Sequence, residues 1–242
     1  MAKDSFAGRV ADSYDADASE LFAPAVVDPV VELLAGLADG GAALELGIGT
    51  GRIALPLARR GVRVHGIDLS PDMVAKLREK PGGKAIPVTI GDMAAIQVEG
   101  AFSLAYVAWN SIMNLRSQEA QVACVRNAAA HLEPGGRFVV EIMVPELQRL
   151  PAGETFLTFD VSREHLGFDE YDVAVQGLTS HHYRPGENEY ETFPGRYIWP
   201  AELDLMAQLA GMALRERWGG WSREPFTSES RSHVSVYEKP VA

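Results

Sequence analysis

Three glycines at alternate positions, Gly47, Gly49 and Gly51, sit in the segment Glu45-Leu-Gly-Ile-Gly-Thr-Gly-Arg52. Glycine lets a backbone turn tightly and approach a ligand where a Cβ would clash. The run follows a short apolar stretch and precedes a helical pattern whose first N–H groups lack intrahelical partners. Such a loop is shaped to hold a cofactor. Two carboxylates stand at matching places downstream. Asp68 ends the second apolar run, where it can accept hydrogen bonds from a ribose diol. Asp92, in Gly91-Asp92-Met93, ends the third, where an acid can meet an adenine amino group. Ligands of open α/β sheets bind outside the carboxyl ends of the strands at a topological switch point, and all three segments fall there. The dinucleotide fingerprint needs its last glycine three residues after the second. Arg52 occupies that position and the extra glycine is Gly51, which counts against a nicotinamide-dependent oxidoreductase.

These residues need a scaffold, and the rest of the chain supplies its pattern. Residues 1–20 read as a polar arm or helical lid. Apolar residues at helical spacing predict a helix over 24–38, with Asp28 as cap and Pro29 in the first turn. Strands are expected at 42–46, 63–67, 85–90, 102–107 and 137–144, alternating with helices at 52–60, 70–80 and 117–132. Ser70-Pro71-Asp72 is a good helix start. This rhythm predicts an α/β, Rossmann-like, seven-stranded, mostly parallel sheet with helices on both faces. After Pro145 the pattern changes. Residues 155–159, 171–175, 178–183 and 196–199 alternate β-formers with polar residues, and 184–188 is a turn signal. An antiparallel insertion of three or four strands is expected there. A helix at 200–209 and two last strands at 212–218 and 232–237 complete the sheet. The expected organisation is a single domain over 1–242: a lid at 1–40, a cofactor core at 42–144, a β-rich substrate cap at 145–199, and the closing elements at 200–242.

Composition narrows the partners. Twenty-two Lys and Arg against 33 Asp and Glu give a net charge of −11, which repels a phosphate backbone. Lys76, Arg78, Lys80 and Lys84 are the densest basic run, and Glu79 interrupts it. Neither a nucleic-acid partner nor a membrane is expected. The single cysteine, Cys124, lies in an apolar helical pattern and reads as a core thiol. No His, Cys and carboxylate cluster has metal-site spacing, so no metal is expected. The opening Met-Ala-Lys-Asp has no apolar run behind it, which predicts a cytoplasmic protein.

The pattern Glu45-x-Gly47-x-Gly49-x-Gly51 resembles the first motif of class I S-adenosylmethionine-dependent methyltransferases. His65-Gly-Ile-Asp68-Leu-Ser-Pro-Asp-Met73 resembles their second motif and Gly91-Asp92-Met93 their third. His131 to Phe138 resembles the lead into their fifth strand. The likeness covers residues 42–144. Tyr14-Asp15 is similar to a lid feature of small-molecule members such as amino-sugar N-methyltransferases. The resemblance implies S-adenosyl-L-methionine as cofactor and S-adenosyl-L-homocysteine as product. It places Gly47, Gly49 and Gly51 on the methionine moiety, with Glu45 and Arg52 in the same motif. It also places Asp68 on the ribose, Leu69 and Met73 on adenine, and Asp92 and Met93 on its polar edge. Ala108 and Asn110, after the fourth strand, fall at the methionine end, and Tyr14 reaches cofactor or substrate.

The implied reaction transfers a methyl group to a nitrogen or oxygen of a small molecule, as in secondary metabolism. The alternative is a non-catalytic S-adenosylmethionine-binding or regulatory protein. A protonated amine or a hydroxyl must lose a proton first, and a His or Glu near neutral pKa suits that task. His181 and His182 are neighbours on a predicted strand, so they point to opposite faces and at most one meets the cleft. His182 is preferred, with His181 and Glu141 as the other candidates. Trp109, Tyr183, Trp199, Trp218 and Trp221 can wall an aromatic substrate pocket. Tyr14 is a candidate substrate contact, and Arg196 and Arg231 can bind a substrate carboxylate. His65 and His131 fit structural slots. The loop Ala108-Trp-Asn-Ser111 lacks the Asn/Asp-Pro-Pro-aromatic signature used on planar nitrogens. The chain is expected to act as a monomer or homodimer.

Overall fold

The computed structural model describes residues 4–186 and 188–241. The first three residues of the predicted arm, Glu187 in the predicted turn, and Ala242 lie outside them. Along the chain run helices α1 (Arg9–Asp17) and α2 (Pro24–Ala38), then β1 (Ala42–Leu46), α3 (Ala54–Arg59), β2 (Arg63–Asp68), α4 (Pro71–Glu79), β3 (Val88–Ile90) and β4 (Phe102–Val107). They are followed by α5 (Gln118–His131), β5 (Leu132–Met143), β6 (Phe156–Val161), β7 (Leu166–Asp172), β8 (Gly177–Arg184), β9 (Glu189–Arg196), α6 (Pro200–Leu209), β10 (Ala213–Trp218) and β11 (Ser232–Glu238).

Seven strands form one sheet in the order β10-β11-β5-β4-β1-β2-β3. β1 pairs in parallel with both β2 and β4, so the order reverses at β1. Only β11 runs against the others, antiparallel to β5 and to β10. Side chains alternate across a strand, and here the alternation feeds two cores. Leu44 and Leu46 join Val107, Phe138, Val140 and Ile142 beneath α5 and α6. Ala43 joins Leu104, Tyr106 and Val139 beneath α2 and α3. Burial on both faces explains why β1, β4 and β5 read as nearly continuous apolar runs.

Some local expectations need correction. The 24–38 helix starts at Pro24 behind Ala23, not at an Asp28 cap, and Pro29 lies inside it. Its second-turn proline forfeits a backbone hydrogen bond, but Val27, Val30, Val31, Leu34 and Leu37 are buried along one face and hold the helix together. The cofactor-loop helix begins at Ala54 rather than Arg52 and has six residues.

The predicted insertion is a separate four-stranded antiparallel sheet in the order β6-β7-β8-β9. The β-forming run 171–175 is not one strand. Asp172 Oδ1 accepts the Ala174 N–H at 3.0 Å, and Gln176 takes a positive φ of 53°, so the chain turns there. The expected strand at 196–199 ends at Arg196, because Pro200 opens α6 just beyond. Pro194 is tolerated in β9 because that strand is an edge.

The cap is fastened to the core at Arg196. Its guanidinium donates to Gln121 Oε1 of α5 at 2.6 Å and to Glu202 Oε1 of α6 at 2.7 Å. Glu202 also accepts from Gln118 at 2.6 Å and Gln176 at 2.7 Å. Removing one partner of a buried ion pair leaves an uncompensated charge and costs about 3 kcal/mol or more. Glu202→Ala is therefore expected to lower stability by about 3 kcal/mol, read as a lower urea midpoint with an unchanged denaturant slope.

Candidate active site

A cavity of about 540 Å³ opens at the carboxyl ends of β1, β2 and β3. Its floor is the β1–α3 loop. The Gly47 and Ile48 N–H groups both donate to the Ile67 carbonyl, at 2.8 and 3.0 Å, which folds the loop across the end of β2. Gly49 has a φ of 52° and lies under the Met73 side chain. Gly51, at a φ of 81°, packs where any Cβ would stand 2.3 Å from Leu77. Asp68 locks this turn. Its Oδ2 accepts the Gly49 N–H at 2.6 Å and its Oδ1 the Ser70 N–H at 2.8 Å. Burial pushes its pKa up, against these backbone hydrogen bonds. A carboxylate offers about four acceptor positions, so capacity for a diol remains.

Leu69, Met73 and Met93 form an apolar slot between Asp68 and Asp92. Asp92 Oδ1 accepts the Ala94 N–H at 2.8 Å. Gly47, Ser111 and Asn114 line the other end, and Tyr14, Phe6 and Ser5 come from the lid. An apolar slot bounded by two carboxylates, beside an open glycine loop, fits a nucleoside carrying an amino-acid tail.

A second cavity of about 580 Å³ lies between the lid and the cap, and Phe6 and Tyr14 line both. The Phe6 ring meets Tyr14 edge-on at 6.2 Å and stacks on Phe193 of β9 at 5.9 Å. His182 meets Phe193 at 5.5 Å and lines this cavity with His165, Asp17, Arg184 and Glu191. Burial, with the neighbouring His165 and Arg184, lowers the His182 pKa. His181 points to the opposite face, stacked on Phe168 at 4.5 Å and hydrogen-bonded to Tyr190 and Glu170.

The lid is clamped on both sides. Towards the core, Gly8 N–H donates to Asp72 at 2.7 Å, Lys76 pairs with Asp12 at 2.7 Å, and Thr50 donates to Asp15 at 2.6 Å. Towards the cap, Arg9 pairs with Glu189 and Glu191, and Asp17 lies 3.2 Å from Arg184.

Several residues read from sequence as contacts line neither cavity among the described residues. Glu45 is buried under the loop, accepting the Tyr106 hydroxyl at 2.9 Å. Arg52 lies over the Trp109 ring at 4.0 Å. Ala108 is buried. Asn110 Oδ1 accepts the Met143 N–H at 2.6 Å, and Glu141 accepts the Trp109 N–H, so both staple the loop after β4 onto β5. Ser111 and Asn114 take the place expected for Asn110. Arg196 is committed to Gln121 and Glu202, and Trp199 packs against Tyr197. Trp218 and Trp221 pack on the core face below α2, Tyr183 lies 3.5 Å from Asn188, and Arg231 pairs with Glu146. Cys124 is a buried core thiol pushed up to about 12. His65 and His131 hold Thr89 and the Asn127 carbonyl. Sequence reading missed Phe6, Asp17, His165, Arg184, Glu191 and Phe193, which no local motif marks.

Residues 43–136 match the family described as a methyltransferase domain. The structure of the CcbJ methyltransferase from Streptomyces caelestis is 38% identical, with 98% of each chain covered and a TM-score of 0.82. The chain belongs to the S-adenosylmethionine-dependent methyltransferases. A cypemycin N-terminal methyltransferase from a Streptomyces species is 29% identical, covering 83% of this chain and 84% of the relative. A ubiquinone biosynthesis O-methyltransferase from Xanthomonas axonopodis is 26% identical, covering 79% of this chain and 70% of the relative. Family membership makes the chain an enzyme with S-adenosylmethionine as its cofactor, which sets aside both the regulatory and the nicotinamide alternatives. No helix among the described residues is long and apolar enough to cross a membrane. In this methyltransferase Asp68, Asp92, Leu69, Met73, Met93, Gly47 and Gly49 all line the first cavity.

Two outcomes are expected of this arrangement. Hydrogen bonds to a charged group contribute about 1.5–3 kcal/mol, so Asp68→Asn should weaken S-adenosylhomocysteine binding about 10- to 100-fold by calorimetry. Burial raises the Glu45 pKa from its ordinary value to about 8, despite the Tyr106 hydroxyl. The folded state then holds a proton that the unfolded state releases, so stability falls as pH rises from the unfolded value towards about 8. Glu45→Gln should remove that slope, seen as a smaller decline in thermal midpoint between acidic and mildly alkaline buffers.

Proposed function

We propose that this methyltransferase methylates an amine nitrogen of a small molecule held in the second cavity, with residues 42–144 as cofactor core and 145–199 as substrate cap. The observation that carries the reading is the shared wall: Phe6 and Tyr14 separate a nucleoside-shaped cavity from one lined by an imidazole and carboxylates. Asp17, Glu189 and Glu191 stand against Arg9 and Arg184 around that cavity, an excess of one negative charge that attracts a cationic amine. The cypemycin relative, named for N-terminal methylation, supports nitrogen as the acceptor atom.

When bound, S-adenosylmethionine supplies a sulfonium methyl, so that the amine lone pair forms the new N–C bond as the C–S electron pair returns to sulfur. The protein has to present the lone pair and align it. Phe6 and Tyr14 hold the acceptor at the boundary and exclude water, and alignment of this kind contributes about 7–11 kcal/mol. An ammonium has no free lone pair. His182, kept neutral by its lowered pKa, takes the proton from the incoming ammonium.

The test is a panel of primary amines, secondary amines, phenols and alcohols incubated with enzyme and S-adenosylmethionine, with products read by mass spectrometry. Methylated amines are expected; methylation of hydroxyls alone refutes the amine assignment. His182→Ala should lower turnover about 100-fold without changing S-adenosylhomocysteine affinity. The wild-type rate should fall as pH drops through the lowered His182 value. An alanine variant with wild-type turnover and the same pH profile would remove His182 as the base.

A further inference from the structure

His165 stands at the turn between β6 and β7, and its two nitrogens are both engaged. Nδ1 lies 2.7 Å from Asp160 Oδ2, and Nε2 lies 3.0 Å from His182 Nδ1. The two imidazoles stack with centroids 5.1 Å apart and planes inclined by 22°. The niche that holds them depends on a missing side chain. Gly167 pairs directly across from His182, and a Cβ on it would stand 2.2 Å from the Phe159 ring and 2.9 Å from His165. Phe159 fills that space and packs on His182 at 5.5 Å.

The direction of the chain of hydrogen bonds follows from one end. A carboxylate only accepts, so His165 Nδ1 carries its hydrogen. A neutral imidazole carries one, so His165 Nε2 presents a lone pair. His182 Nδ1 must then be the donor to it, which leaves His182 Nε2 as the free lone pair. The Ser180 hydroxyl lies 3.1 Å from that nitrogen and also bonds the Asp169 carboxylate opposite, so its single hydrogen serves one or the other.

We infer that Asp160 and His165 are positioning residues, forming a carboxylate–imidazole–imidazole relay that directs the Nε2 lone pair of His182 into the acceptor cavity. The inference rests on the amine-methylation reading of that cavity. One proton moves: the acceptor N–H bond breaks, a new bond forms at His182 Nε2, and the electron pair stays on the acceptor nitrogen for methylation. The resulting imidazolium keeps donating from Nδ1 to His165, so no second proton transfer is needed. The other groups facing His182 are accounted for. Arg184 on the same strand is held by Glu191 of β9 at 3.0 Å and by Asp17 of α1 at 3.2 Å. Asp169 of β7 sits opposite Ser180, and Ser13 and Tyr14 of α1 line the same cavity as His182.

The test reads the tautomer directly and needs no acceptor. In the full-length protein with ¹⁵N-labelled histidine, about two pH units above the ordinary histidine value, nitrogen shifts should show His182 protonated at Nδ1 and bare at Nε2. His165→Gln, whose side-chain oxygen can accept from Nδ1, should keep that form. His165→Phe, which keeps a ring in the niche but offers no acceptor, should release it. With an amine that the panel shows to be methylated, turnover should fall tenfold or more in His165→Phe. It should recover in His165→Gln, at unchanged S-adenosylhomocysteine affinity in both. Finding Nε2 protonated in the wild type, or the same tautomer in wild type and His165→Phe, overturns the relay even if amines are methylated. The expected tautomers together with hydroxyl-only methylation support the relay and refute the amine reading alone.

Discussion

The carboxylate of Asp68 joins three pieces of chain that are not neighbours in sequence. It takes a backbone N–H from the glycine loop at 2.6 Å and another from the start of α4 at 2.8 Å, while sitting at the end of β2. Hydrogen bonds from N–H groups to a carboxylate are the strong kind, and this pair fixes the loop against the strand whose end borders the first cavity. The Gly47 and Ile48 N–H bonds to the Ile67 carbonyl hold the first half of the loop, and Asp68 holds the second. The loop's glycines confer freedom rather than rigidity, and α3 behind it has only six residues. The same carboxylate therefore builds the cavity floor and keeps acceptor capacity for what the cavity binds.

The β1–β4 junction provides the second constraint. Strand order reverses there, and the loops after β1 and β4 diverge to leave room above the sheet. The loop after β4 has to be held open without filling that room. Trp109 and Asn110 both adopt positive φ, at 51° and 58°, and each is tied to β5: Trp109 through its N–H to Glu141, Asn110 through its side-chain oxygen to Met143. Polar residues in this stretch look like cofactor contacts in sequence. They work as staples, and the neighbouring Ser111 and Asn114 meet the cavity instead.

That contrast shows what a sequence can and cannot carry. Asp68, Asp92, Gly47 and Gly49 are legible as cavity residues because each sits at or just after a strand end, a place fixed by local pattern and strand direction, whereas Gly51 packs on Leu77 and lines neither cavity. Glu45 and Arg52 belong to the same motif but lie below the loop or beside it, because alternation on β1 and the late start of α3 decide where they point. Opposite orientations for His181 and His182 followed from strand geometry, but which of them faces inward depends on how the cap sheet is laid against the lid. Phe6, Asp17 and Glu191 come together across more than 170 residues of chain, and no spacing rule reports such a meeting. His165 lay in a turn with nothing to mark it, until the gap at Gly167 brought it onto His182.

The linings of the two cavities are drawn largely from different sheets. The glycine loop and its two aspartates belong to the large parallel sheet, while His182 and its partners belong to the antiparallel cap. The N-terminal segment touches both, through a mixture of ion pairs and hydrogen bonds. Exposed ion pairs contribute little individually, about 0–1 kcal/mol, so a set of them holds this segment only weakly. Apolar packing across the same surfaces would hold it more firmly. Phe6 is the exception: its ring stacks on Phe193 of the cap and meets Tyr14 edge-on, at the boundary between the two cavities. Ionic contacts thus lie at the periphery of this segment and one aromatic contact at its centre, where the two cavities meet.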